Sequence, residues 1–183
     1  MYTEKAGVEN TDATLDAAFA AAGARGVHHI VAASTSGFTA RKLLERAAPG
    51  LSLVVVTHNT GFKEEGVQSF PGDLRAELTA RGIHVHTGTM VLRSLGTAIR
   101  ERHGGYSEQE LVANTLRMLC QGMKVCVEIV AMASDAGLVP PADVIAVAGT
   151  GRGADTCCVI RANSSNRFFD IKVREIIVKP KEF

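Results

Sequence analysis

The segment Ser34-Thr35-Ser36-Gly37-Phe38-Thr39 gathers four hydroxyl side chains around one glycine, between an apolar run ending at Ala33 and an amphipathic run opening at Ala40. Backbone amides at a helix start, joined by such hydroxyls, hold negative charge well, and phosphate is the group this chemistry fits. The same residues would also serve as an ordinary N-cap, with Ser36 or Thr39 satisfying the first free amides and no ligand present. A second glycine-rich segment, Gly149-Thr150-Gly151-Arg152-Gly153-Ala154-Asp155-Thr156, has the glycine spacing of a dinucleotide turn. That fingerprint needs a helix directly after it, whereas Asp155 to Arg161 reads as a returning strand. A flexible hairpin is expected instead, one whose amides and Arg152 can approach an anion; a plain glycine hairpin is the alternative. Phe38 and Phe62 are the remaining chemical resource. They offer aromatic surface for a flat ring in a chain with no Trp and two Tyr.

These residues need a scaffold, and the chain alternates strand and helix patterns as a mostly parallel sheet covered on both faces would. Asn10 or Thr11 caps a helix with Leu15, Ala18, Phe19 and Ala22 on one side, ended by Gly23 and Gly26. A strand from His28 to Ala33 leads into the Ser/Gly loop and a helix carrying Ala40, Leu43, Leu44 and Ala47. Leu53–Thr57 reads as a central strand, since it is apolar without alternation. The polar loop from His58 to Phe70 precedes a helix near Pro71–Arg81, a strand His84–Thr87 and a helix Met90–His103 carrying Leu92, Leu95 and Ile99. The box Ser107-x-x-Glu110 then starts a long helix reaching Ala136. Its second half is apolar almost all round. Only Gln121, Lys124, Glu128 and Asp135 form a narrow polar stripe, which is either a solvent-facing seam with a weak Lys–Glu pair or a place where Glu128 borders a pocket. Strands Asp143–Ala148 and Ile171–Val178 complete the pattern.

The expected fold is therefore α/β, a three-layer open sheet that is mostly parallel with an antiparallel C-terminal portion. Loops at Ser34–Thr39, His58–Phe62, Thr87–Met90 and Gly149–Thr156 all follow strand carboxyl ends, the edge where open α/β sheets bind ligands. The length of 183 residues, with 46% hydrophobic, suits one domain over residues 1–183 with one substantial core. The net charge of +1 and the absence of any run of more than two adjacent Lys/Arg residues give no support to a nucleic-acid or anionic membrane surface. The polar N-terminus and the lack of a membrane-length apolar run suggest a cytoplasmic protein. Cys120, Cys126, Cys157 and Cys158 lack metal or redox spacing and read as buried free thiols, with Cys157 and Cys158 facing opposite sides of a strand. No metal site is expected. Catalytic residues are not assigned, since neither a Ser-His-Asp set nor a carboxylate pair stands in recognisable context.

The segments A-S-T-S-G-F-T-A-R-K-L, V-V-V-T and V-I-A-V-A-G-T-G-R-G-A-D-T resemble the C-terminal α/β domain of pyruvate kinase, whose T-x-S-G-x-T-A loop and late glycine-rich loop form an effector phosphate site. With V-E-N-T, V-T-H-N-T-G-F-K-E-E-G and M-K-V-C-V-E-I added, the whole chain is similar to a family of stand-alone prokaryotic proteins of that fold. The resemblance implies bound flavin mononucleotide (FMN) and a small phosphorylated ligand as partner, and is compatible with a homo-oligomer. It places phosphate contact on Ser34, Ser36, Gly37 and Thr39, and ligand contact on the loop holding Thr57, His58, Gly61 and Phe62 and on the turn Arg152, Gly153, Ala154, Asp155 and Thr156. Thr35, Phe38 and Glu128 complete the expected site. Phe38 stands where the kinase loop often has a basic residue, which favours a ligand with one phosphate and an aromatic end. No room remains for a catalytic barrel of about 250 residues, so pyruvate kinase activity is not expected. Three functions follow as expectations: an FMN protein with an oxidoreductase role, a non-enzymatic sensor of a phosphorylated metabolite, and, with least support, a hydrolase or transferase.

Overall fold

A computed structural model describes residues 1–183. In chain order it has β1 (Tyr2–Lys5), α1 (Thr11–Arg25), β2 (His29–Ala33), α2 (Phe38–Glu45), β3 (Ser52–Val56), α3 (Gly72–Ala80), β4 (His84–His86), α4 (Ser94–His103), α5 (Glu108–Arg117), α6 (Gln121–Asp135), β5 (Asp143–Ala148), β6 (Thr156–Arg161) and β7 (Lys172–Glu182). One seven-stranded sheet runs in the order β1-β7-β6-β5-β2-β3-β4. Strands β5, β2, β3 and β4 are parallel, β6 pairs antiparallel with β5, and β7 pairs antiparallel with β6, which returns it to the direction of β5. This is the expected α/β architecture, mostly parallel with an antiparallel C-terminal portion.

The two faces of the sheet follow from strand alternation. On one face Ile30, Ala32, Val55, Ile145 and Val147 meet Leu15 and Ala18 of α1, Leu43 of α2 and Leu74 and Leu78 of α3. Val31, Val54, Val56, Ala146 and Ile160 face the other way, against Met123, Cys126, Val127 and Val130 of α6. Cys157 belongs to the first core and Cys158 to the second, and all four cysteines are free and buried. Buried on every side, α6 is a core helix, which is why its sequence is apolar almost all round.

Three local expectations fail, each for a physical reason. The polar N-terminus forms β1, pairing in parallel with the end of β7. Because this edge strand is exposed along most of its length, it carries no apolar alternation to reveal it. The helix expected over Met90–His103 begins at Ser94, and Leu95 and Ile99 are exposed because α4 packs chiefly on α5, away from the sheet. Finally, the expected helix to Ala136 breaks between α5 and α6. Cys120 is fully extended there, and its Sγ accepts the Met123 amide at 3.3 Å, so the break creates a fresh helix start. Only half of the expected capping box forms: Ser107 accepts from the Glu110 amide at 3.3 Å, while the Glu110 carboxylate turns away to Thr97 and Arg100 of α4.

Candidate functional site

Strand order decides where a site can form. From β2 the chain goes through α2 to β3 on one side, while β5 lies on the other, so the loops after β2 and β5 diverge and leave a crevice at their carboxyl ends. A cavity of about 230 Å³ opens there, lined by the loop after β2, the start of the loop after β3, Met90 beyond β4, the turn after β5 and one side of α6.

The loop after β2 is built to leave donors free. Ser34 is buried, and its Oγ accepts the Ala40 amide at 3.2 Å, so Ser34 satisfies one first-turn amide of α2 although the N-cap position itself is Gly37. The capping alternative is thus met by Ser34 and not by Ser36 or Thr39. Gly37 precedes α2 with φ 89, a conformation that favours glycine, and a Cβ there would come within 2.6 Å of Leu74 Cδ2. The turn leaves the amides of Thr35, Ser36, Gly37, Phe38 and Thr39 without protein acceptors, and the hydroxyls of Thr35, Ser36 and Thr39 make no hydrogen bond. A helix start with unspent amides and hydroxyls is the arrangement that binds an anion.

Opposite this loop stands the β5–β6 hairpin, which is tied down and not flexible. The Ala154 amide donates to Thr11 Oγ1 at 3.0 Å, and the buried Asp155 carboxylate accepts the amides of Thr150 at 3.0 Å and Gly7 at 3.2 Å and the Thr156 hydroxyl at 2.8 Å. Ala154, Asp155 and Thr156 are fully buried and hold the turn in place; they do not line the cavity. Arg152 is free of Asp155. Its Cζ lies 4.4 Å from the Phe38 ring centroid, and no carboxylate pairs with it. Gly153 reaches the cavity wall and packs on α1, where a Cβ would stand 2.3 Å from Thr11 Oγ1.

The third wall combines aromatic and charged groups. His58 and Phe62 pack with ring centroids 4.0 Å apart and planes tilted by 46°, and Arg93 Cζ lies 5.0 Å from the Phe62 centroid. Burial pushes the His58 imidazole below its ordinary value, and its Nδ1 is buried without a partner. Thr57 joins Thr87 through hydroxyls 2.6 Å apart. On α6, Lys124 and Glu128 form an ion pair with both side chains 2% exposed, and Glu128 also accepts the Leu92 amide at 2.9 Å. Burial lowers the Lys124 pKa against the upward pull of Glu128.

Of the expected ligand residues, Ser34, Thr35, Ser36, Phe38, Thr39, Thr57, His58, Phe62, Glu128, Arg152 and Gly153 come together around the cavity, while Gly37, Gly61, Ala154, Asp155 and Thr156 do not line it. Gly61 is an exposed turn residue with φ 80 in the loop after β3. Sequence reasoning missed Arg93 and Arg117 as lining residues, and it held Met90 only as the end of an edge loop and Gln121 and Lys124 only as members of the α6 stripe. Lys124 was visible in the polar stripe of a helix apolar almost all round, but its burial with Glu128 depends on how Leu92 packs against α6. Arg93 and Arg117 depend on how α4 and α5 pack, which helical periodicity does not encode. No group of His, Cys, Asp and Glu is arranged to hold a metal, and no helix is long and apolar enough to cross a membrane.

Solved pyruvate kinases of Cryptosporidium parvum resemble this chain. One, in complex with ADP, is 16% identical with a TM-score of 0.45, matching 86% of this chain and 24% of its own. Another is 14% identical with a TM-score of 0.43, matching 86% and 23% respectively. The chain thus spans about a quarter of the length of those enzymes. A family model described as "Pyruvate kinase, alpha/beta domain" matches residues 12–160, most of the strands and helices above, and the chain belongs to that family.

Proposed function

We propose that this protein binds a phosphorylated ligand carrying a planar group, with FMN as the ligand that best fits the groups present, at the carboxyl edge of its sheet. The single observation behind this reading is the row of unspent amides and hydroxyls over residues 35–39, of which Thr35, Ser36, Phe38 and Thr39 line a cavity shared with Arg152. In this reading the phosphate sits on the amides, with Arg152 held beside it by Phe38, and the planar group lies toward Phe62 and His58. Arg supplies a planar fork of donors suited to phosphate oxygens. An oxidoreductase role would rest on the flavin, which supplies electron transfer when bound; the chain's own residues would bind and orient it.

A smaller ligand is the second reading. The cavity of about 230 Å³ is below the roughly 300–1,000 Å³ of most small-molecule sites, which favours a compact phosphorylated metabolite and a sensing role. The test is the absorption spectrum and mass of whatever copurifies, followed by calorimetric titration of the stripped protein with FMN and with sugar phosphates. A flavin spectrum and FMN binding support the first reading; colourless protein that binds sugar phosphates supports the second. Binding of neither overturns both.

A further inference from the structure

Lys124 has a hydrogen-bonding capacity that the protein does not use. Its ammonium carries three N–H donors in a side chain 2% exposed, yet its sole partner is Glu128. Glu128 cannot swing away to compensate, because the Leu92 amide fixes its other oxygen at 2.9 Å. Two N–H groups of a buried cation are therefore unspent beside the cavity that Lys124 lines. Buried polar groups are almost always satisfied, by protein, water or ligand. On the same cavity His58 Nδ1 is buried with no partner at all. The charges that face Lys124 from neighbouring elements are Arg93, before α4, and Arg117, at the end of α5, so Glu128 is the one carboxylate among three cations.

We propose that Lys124 is a ligand-binding residue whose ammonium holds an acceptor oxygen of the ligand, carbonyl or anionic, on the α6 wall. The proposal rests on the reading of this cavity as a phosphorylated-ligand site and narrows it. The phosphate end belongs to the loop after β2, and the opposite end must present an acceptor oxygen to α6. A flavin ring edge with its carbonyl oxygens meets this requirement; a phosphorylated hydrocarbon ring does not. Glu128 is a positioning residue here, fixing the ammonium and cancelling one positive charge.

Two phosphorylated probes separate the ends of the site: FMN, with ring carbonyls, and phenyl phosphate, with none. Each is titrated by calorimetry into the wild type, Lys124→Met, and the double variant Lys124→Met/Glu128→Gln, which removes both buried charges and so stays foldable if the single variant does not. The expected result is a fall in FMN affinity of at least about tenfold in whichever variant folds, the worth of a charged hydrogen bond, with phenyl phosphate affinity held within about twofold. Unchanged FMN affinity overturns the role of Lys124, and so does a parallel loss of both probes, which would put Lys124 on the shared phosphate or on the shape of the cavity instead of on a ring oxygen. Wild-type protein that binds FMN no tighter than phenyl phosphate overturns the role while leaving the phosphate site standing. Wild-type protein that binds neither overturns the phosphate site and this inference together.

Discussion

Replacing Glu128 with Gln should cost this protein more stability than any other single polar change at the site. The substitution keeps shape and leaves an oxygen for the Leu92 amide, but it strands the Lys124 ammonium in a site 2% exposed. Removing one partner of a buried pair costs about 3–5 kcal/mol, against a typical total stability of about 5–15 kcal/mol. The lost energy should depend on pH, because Lys124 can relieve it by releasing its proton. Burial already lowers the Lys124 pKa, and Glu128 is the strongest influence pulling it back up. Without Glu128 the folded-state value drops further, while the unfolded chain keeps its proton up to the ordinary lysine value of about 10.4. Between those two values the unfolded state binds more protons, so unfolding free energy rises with pH. The variant's deficit is then largest at low pH and shrinks as pH climbs toward the ordinary lysine value; wild type follows the same sign with a shallower slope. Urea denaturation of both proteins over about pH 6 to 9, comparing midpoints at constant slope, measures this directly. A deficit below about 1 kcal/mol that does not change with pH would refute the buried-pair argument.

Three further outcomes are expected. Ser36→Asp sets a carboxylate among the free amides at an exposed position, so FMN or phosphate affinity should fall tenfold or more, with each charge-assisted bond worth about 1.5–3 kcal/mol, while the melting temperature holds; calorimetric titration decides, and retained affinity moves the anion elsewhere. Ser34→Ala removes the acceptor of the Ala40 amide and should lower stability by about 0.5–2 kcal/mol in denaturant titration, whereas no change would mean that water replaces the cap. Arg152→Lys keeps the charge but loses the planar fork and its stacking on Phe38, so ligand affinity should weaken while thermal stability does not move; full affinity in the variant would assign Arg152 to the scaffold.

The parallel part of the fold was legible because buried strands leave continuous apolar runs: Leu53–Val56 and Val144–Ala148 announce themselves, and the helices between them keep 3.6-residue spacing. Edge strand β1 was not legible, since its pairing with β7 uses backbone groups and its side chains remain wet. The α5–α6 break was hidden for a different reason. Thr115 to Val125 keeps helical periodicity straight through the extended Cys120, and only tertiary contact with Thr156, whose Oγ1 lies 3.4 Å from Cys120 Sγ, shows why the chain resets there.

The same division runs through the candidate site and separates what local chemistry encodes from what packing creates. The loop after β2 is encoded mostly by its own residues: Ser34 holds the Ala40 amide, Gly37 turns and the neighbouring hydroxyls stay free, with only the close approach of Leu74 to Gly37 coming from elsewhere in the chain. The hairpin is half-encoded. Its glycines are visible, but Gly153 is required because Thr11 and Val8 press against it, and Asp155 is held by Gly7 from the far end of the chain. The α6 wall is the opposite case, since Lys124 and Glu128 gain meaning only once Leu92 and the loops close over them. In a helix read alone they form a weak surface pair in the less favourable order; sealed in the core they become a fixed dipole with unspent donors. Burial converts that pair from a minor surface contact into a constraint on what the cavity can hold, because any occupant that fails to offer an acceptor leaves a desolvated ammonium unsatisfied.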